Sequence, residues 1–278
     1  MGIRKPIVAG QFYPGDKAEL EKQVKKFLLV RGREIKKENA KAAIVPHAGY
    51  DFSGKLAGKA FSIIPHKKDF ILLGVNHSGI GAKVCLSLED FETPLGIVKN
   101  NKALGEKILT KLKKEKINAE INEQAHAHEH SLEVQLPFLQ ISQKDFEIVP
   151  LIFNNLEYEE CRKTAEILSN FASENICIIA SSDFTHYGPA YRFAPFYQPE
   201  KNLRKYDMDI ALEILKNDPK GFYDKAKKST ICGIYAISVL AEIARIKKWK
   251  AKLIDYYTSG DVLKEWSNAV GYAGIVFE

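Results

Sequence analysis

The sequence predicts an α/β fold: a single-domain sandwich spanning residues 1–278, with a central mostly parallel or mixed sheet flanked by helices. Three observations carry this expectation. Continuous apolar runs such as DFILLGV (69–75) and NICIIA (175–180) have the character of strands covered on both faces. Segments with apolar residues at helical spacing alternate with them. Hydrophobic residues form 45% of the 278, enough for one large core, and no repeat, low-complexity tract or linker divides them.

The elements follow in order. Residues 16–30 place Leu20, Val24, Phe27 and Leu28 on one helical face. A strand at 42–45 is stopped by Pro46, and a helix follows over 53–63. After the strand at 69–75, residues 84–88 and 95–98 flank Thr93-Pro94 as a hairpin. Helices are predicted at 101–114 and 132–141, the second with Pro137 in its first turn and Ser131 as a possible N-cap. A strand at 146–153, a helix at 157–171 and the strand at 175–180 continue the alternation. Helices at 201–216 and 234–246 and closing strands at 252–257 and 269–276 complete it.

The formal net charge is +6, from 41 basic and 35 acidic side chains. Much of the excess lies in lysine-rich stretches at 22–37, 107–116 and 225–228. These have the pattern of solvated helix faces rather than a nucleic-acid footprint, which would cluster with arginine or aromatic residues. The field they create favours an anionic ligand. Four cysteines without CxxC spacing argue against a redox dithiol or a zinc ribbon. No stretch approaches the ~18 apolar residues of a membrane helix, and the first six residues lack a signal-peptide core. The expected setting is reducing and cytoplasmic, with no membrane or nucleic-acid partner.

The strongest functional signal is positional. His47, His77 and the pair Asp183 and His186 each lie just past the end of an apolar strand, in short loops rich in Gly, Ser or Asn. Open α/β sheets bind ligands at that edge. In SSDFTHYG, Asp183 stands three residues before His186, as an orienting carboxylate or as a second proton-transfer group. Cys232, just before an apolar helix, is expected to have a lowered pKa and thiolate character, which suits zinc, copper or iron. In HAHEH (126–130), alternate histidines could form a metal strip, but the bland reading of His126 and His128 is a surface loop. His130 and Glu133, nearest the helix start, are the better candidates; Tyr50 and Phe12 complete the expected pocket. His66, beside two lysines, is expected to be surface, and Cys85, Cys161 and Cys177 to be buried and inert.

Taken together, AGQFYPGD, VPHAGYDFSG, LLGVNHSG, EHSLEVQLPFLQ, SSDFTHYG and STICGIYAI resemble the Memo family, including its AmmeMemoRadiSam system protein B-like members, from about Ile7 to the C-terminus. The resemblance implies the fold of the catalytic subunit of class III extradiol ring-cleaving dioxygenases, which use non-haem Fe(II). It implies metal ligation by His47, His77 and Cys232, with Asp183 and His186 as further pocket residues. The dioxygenases have a carboxylate as third ligand where this chain has a thiol. The resemblance gives no support to His126 and His128. It implies radical-SAM and AMMECR-type proteins as partners.

Three functions compete. The first is a metal-dependent oxidoreductase, dioxygenase-like, acting on a small substrate at one iron or copper ion, with His186 as acid/base and Asp183 fixing its tautomer. The second is a non-catalytic binding protein whose pocket holds copper or, metal-free, an anionic peptide. The third is a zinc hydrolase. Imidazole and thiolate ligands suit iron, copper and zinc alike, so the residues do not choose the metal.

Overall fold

The computed structural model describes residues 2–29 and 39–278; Val30 and the lysine-rich stretch as far as Lys37 lie outside the described residues. In chain order the elements are β1 (Ile3–Arg4), α1 (Lys17–Leu28), β2 (Ala42–Val45), α2 (Tyr50–Ile63), β3 (Asp69–Val75), β4 (Val84–Leu86), β5 (Asp90–Thr93), β6 (Gly96–Asn100), α3 (Lys102–Lys114), β7 (Ala119–Ile121) and α4 (Glu123–Ala127). Then come α5 (Leu136–Ser142), β8 (Glu147–Phe153), α6 (Tyr158–Ser169), β9 (Ile176–Ser181), β10 (His186–Tyr187), α7 (Pro199–Leu215), α8 (Pro219–Ala226), α9 (Ile234–Lys247), β11 (Ala251–Thr258), α10 (Ser259–Leu263) and β12 (Ala269–Phe277).

The sheet is mixed. Strands β8, β3, β9 and β2 run parallel in that spatial order. β12 then pairs antiparallel with β2, and β11 with β12. The all-apolar strands are the central ones: every residue of β2, β3 and β12 is buried, as helices on both faces require. One core lies on the side of α1, α2 and α5, with Leu20, Val24, Phe61 and Phe138. The other lies under α3, α6, α7, α8 and α9, with Leu112, Cys161, Leu168, Phe222 and Ile237. Cys85 and Cys177 are buried too.

Two local predictions need correction. The hairpin at Thr93-Pro94 exists, but its strands are β5 and β6, with Thr93 opposite Gly96. Val84–Leu86 instead pairs antiparallel with β8 and parallel with β7. Ser131 does not cap a helix. Its hydroxyl donates to the Val75 carbonyl and accepts from the Val75 N–H, tying off the end of β3. A 3-10 turn at Glu133–Gln135 leads into α5, with Pro137 in its first turn.

The N-terminal segment is locked by charge. The Arg4 guanidinium, buried over Phe91, donates to the carbonyls of His126 (3.2 Å) and Glu129 (2.6 Å) and pairs with Glu133. Glu133 is fully buried and accepts from the N–H groups of Ile7 and Val8 and from the Tyr13 hydroxyl. Glu133 is therefore a structural anchor and does not line the cavity described below, contrary to expectation. Removing one partner of a buried pair strands the other charge. Arg4→Met is expected to cost about 3–5 kcal/mol in urea unfolding, and adding Glu133→Gln to recover part of that loss. A loss of under about 1 kcal/mol would show that the pair contributes nothing to folding.

Candidate metal centre

The three adjacent strands β3, β9 and β2 end at one edge of the sheet. Their following loops carry His77, then Asp183 and His186, then His47. Topology therefore brings together what the sequence shows only as three separate loop ends. A fourth segment, between α4 and α5, adds His130. Ligand nitrogens of His47, His77 and His130 all lie within 4.8 Å of one another. The His77 and His130 rings stack at 4.9 Å, and both stand edge-on to His47.

Hydrogen bonds fix how these rings present themselves. Ser181 gives its only hydroxyl proton to the Ser131 carbonyl at 2.6 Å, so its oxygen accepts from Gln135 and from His47 Nδ1 (3.1 Å). His47 thus carries its proton on Nδ1, and Nε2 is a lone pair. His77 Nδ1 lies 3.0 Å from both oxygens of Glu129, which also accepts the His77 N–H at 2.8 Å and the Ser131 N–H at 2.7 Å. This is the carboxylate–histidine arrangement that sets a ligand's tautomer and raises its basicity. Burial pushes Glu129 up, but His77's hydrogen bond and charge, with the two N–H groups, outweigh it and hold Glu129 down at about 2. Burial, and the like charges of His130 and His77, push His47 well below the usual imidazole range. His130 is lowered chiefly by burial. Both shifts favour neutral His47 and His130, the state a ligand needs.

Cys232 meets this group from one side. Its sulfur is 3.3 Å from His47 Nε2 and 3.6 Å from the Asp183 carbonyl. Gly233 makes the approach feasible, since a Cβ there would sit 2.3 Å from the Ser182 Cβ. Cys232 is not among the donors that lie mutually within 4.8 Å, and His130 is. The expected thiolate character is not found: burial, then the Asp183 carboxylate, pushes the thiol up. Desolvation outweighs the helix N-terminus here.

Asp183 does not orient His186. Asp183 Oδ1 accepts the N–H groups of His47 (2.8 Å) and Ala48 (3.3 Å), pinning the β2 loop. His186 Nδ1 donates to the Thr230 carbonyl at 3.0 Å, its N–H donates to the Thr230 hydroxyl, and its ring meets Tyr191 edge-on at 5.0 Å. Thr230 therefore fixes the tautomer.

These groups face a cavity of about 490 Å³ lined by His47, His77, His130, Asp183 and His186, with Phe12, Phe52, Tyr191, Leu263 and Tyr272 among the apolar walls. Tyr50 does not line it; its hydroxyl is spent on the Val134 carbonyl in the core. His126 is buried rather than on a surface loop. It bonds the Cys85 carbonyl at 3.0 Å through Nε2 and is lowered to about 4 by burial. His128 and His66 are exposed.

Behind the Asp183–His186 loop, Asp207 of α7 accepts from the Thr185 N–H (3.2 Å) and the Tyr256 hydroxyl (2.7 Å). Burial raises it to about 6 despite those bonds. An unfolded aspartate ionises near 3.9, so the folded state holds this proton more tightly. The resulting stabilisation is complete below about pH 4 and is lost as pH rises through 6. Asp207→Asn keeps one acceptor oxygen for the Thr185 N–H and offers an amide N–H to the Tyr256 hydroxyl oxygen, without a titrating group. Its stability relative to the parent should therefore rise by up to about 3 kcal/mol between pH 4 and 8, read by urea unfolding across pH. A pH-independent difference would show that Asp207 does not titrate in this range.

The Memo-like protein family model matches residues 4–276. A MEMO1 family protein of Methanosarcina barkeri is 35% identical over 283 residues, covering 99% of this chain and 100% of the relative. MEMO1 family proteins of Aquifex aeolicus (37% over 283 residues, 100% of each chain) and Nitrosopumilus maritimus (37% over 289 residues, 99% of each) are similar to it as well. Among solved structures, an uncharacterized protein of Escherichia coli K12 aligns with a TM-score of 0.61 at 10% identity, over 85% of this chain and 99% of that one, which shows likeness of fold alone. Among the described residues no helix is long and apolar enough to cross a membrane.

Proposed function

The chain belongs to the Memo family, and from that premise we propose that it is a mononuclear transition-metal protein, an oxidoreductase of the non-haem kind acting on a small molecule. The observation that carries this reading is the cluster of His47, His77 and His130, imidazoles of which two are oriented by outer hydrogen bonds, at the floor of an open cavity.

The donor set suits iron, copper or zinc. His47, His77 and His130 would hold the ion. The 3.3 Å between His47 Nε2 and Cys232 Sγ is close to the spacing of two donors sharing one ion at ~2.0–2.1 and ~2.3 Å, so the thiol can join them on losing its proton. When bound, an iron or copper ion would supply the redox chemistry with O₂ that side chains lack. The chain's own residues do the rest. Glu129 and Ser181 hold the imidazoles in their ligating tautomers. His186, with its proton fixed on Nδ1, offers Nε2 to take a proton from a substrate. Phe12, Phe52 and Tyr272 reduce the water around the reacting groups.

The test is elemental analysis of protein purified anaerobically, followed by O₂ uptake against a panel of catechol-like compounds. About one iron or copper per chain with substrate-dependent O₂ consumption supports the oxidoreductase. Tight Cu(I) retention without turnover would support the carrier reading, which the adjacent Cys232 sulfur favours. Zinc with hydrolytic activity would overturn the redox assignment, and no metal binding at all would overturn both.

A further inference from the structure

One wall of the cavity is made of acceptors. Asp183 is only 4% exposed and lines the cavity; Oδ1 is taken by two backbone N–H groups, and Oδ2 has no hydrogen bond among the described residues. His186 gives its proton to Thr230, which leaves Nε2 as a lone pair. His47 and His77 likewise give their Nδ1 protons to Ser181 and Glu129. A polar group that meets these acceptors must bring the proton itself. Much of the remaining surface is apolar, from Phe12, Phe52, Leu263, Val270 and the rings of Tyr191 and Tyr272, while Gln11, Ser259 and Asn268 add neutral polar groups but no cation. Of the chain's 41 lysines and arginines, none of those described lines the cavity.

We propose that the cavity selects a ring-bearing molecule whose hydroxyl group donates its proton to Asp183 or His186, and that it rejects anionic analogues. This rests on reading the cavity as a small-molecule site, though not on the presence of the ion. A carboxylate beside Asp183 would lose its hydration and meet acceptors with no counter-charge. A neutral hydroxyl avoids this cost, and its ring gains contact with the aromatic wall. The excess positive charge of the surface therefore does not describe the ligand, and the anionic-peptide reading loses its support.

Two probes share one ring system: 2-naphthylmethanol and 2-naphthoate. Calorimetric titration of the full-length protein, chelator-stripped and then zinc-loaded, compares them. In the stripped protein the alcohol should bind at least about tenfold tighter than the carboxylate, the size of one unfavourable polar burial. Leu263→Lys, at a rim position 58% exposed and safe for folding, should raise 2-naphthoate affinity at least about fivefold by supplying the missing cation. The proposal is overturned if the carboxylate binds the parent as tightly as the alcohol, if the alcohol does not bind, or if Leu263→Lys leaves 2-naphthoate unchanged. Failure of the protein to hold any metal would defeat the oxidoreductase reading alone, because this selectivity is read without metal.

Discussion

His47→Ala is expected to abolish transition-metal binding, with affinity falling by well over 100-fold in a titration with Fe(II) or Zn(II). The expectation follows from where His47 stands. Its Nε2 faces both the imidazoles of His77 and His130 and the sulfur of Cys232, so it belongs to any subset of donors the ion uses. The surrounding groups give a graded comparison. Glu129→Gln leaves every ligand in place but weakens the hold on His77; outer partners of this kind are worth about 10–100-fold in affinity. Cys232→Ser and His130→Ala then decide the third ligand. A larger loss from His130→Ala assigns the three-histidine set, and a larger loss from Cys232→Ser assigns the thiol. Retention of metal by His47→Ala would remove the centre from this cavity altogether. Fold integrity is checked by melting temperature, because losing the bond to Ser181 costs only about 0.5–1.5 kcal/mol.

Much of this site is legible in the amino-acid sequence, for a physical reason. A strand buried on both faces must be apolar throughout, so polar residues directly after DFILLGV or NICIIA mark the sheet edge where ligands bind. What the sequence does not contain is the spatial order of the strands. That β3, β9 and β2 are neighbours follows from crossover connections, and no local pattern encodes it. The HAHEH segment shows the other limit. Read as extended chain, it puts its histidines on one face. Folded as the end of α4, it turns His126 inward to Cys85 and His128 outward to water, while Glu129 and His130 reach the site. Glu129 lies between two histidines, yet nothing local distinguishes it from Glu133, which instead answers Arg4 at the far end of the N-terminal segment. Cys232 departs from expectation because a helix N-terminus is visible in sequence and desolvation is not.

The second large effect is expected at His186. His186→Ala should leave metal content unchanged, since His186 is not among the imidazoles that gather around His47. It should lower turnover by about 10²–10⁴-fold, the usual contribution of a positioned proton-transfer group. Stability should change little, because the half-buried side chain loses one neutral hydrogen bond to the Thr230 carbonyl, worth about 0.5–1.5 kcal/mol. Thr230 rather than Asp183 sets the tautomer, and this separates the two residues' variants. Asp183→Asn disturbs the N–H groups of His47 and Ala48, so its effect should appear in metal affinity as well as in turnover. His186→Ala should act on turnover alone and flatten the limb of the pH–rate profile that reports the base. If His186→Ala empties the site as thoroughly as His47→Ala, then His186 is a ligand and the base must be sought elsewhere in the cavity. If turnover is unchanged while metal is retained, the proton leaves the substrate without a side-chain base, and His186 serves only to seat the loop that Asp207 supports from behind.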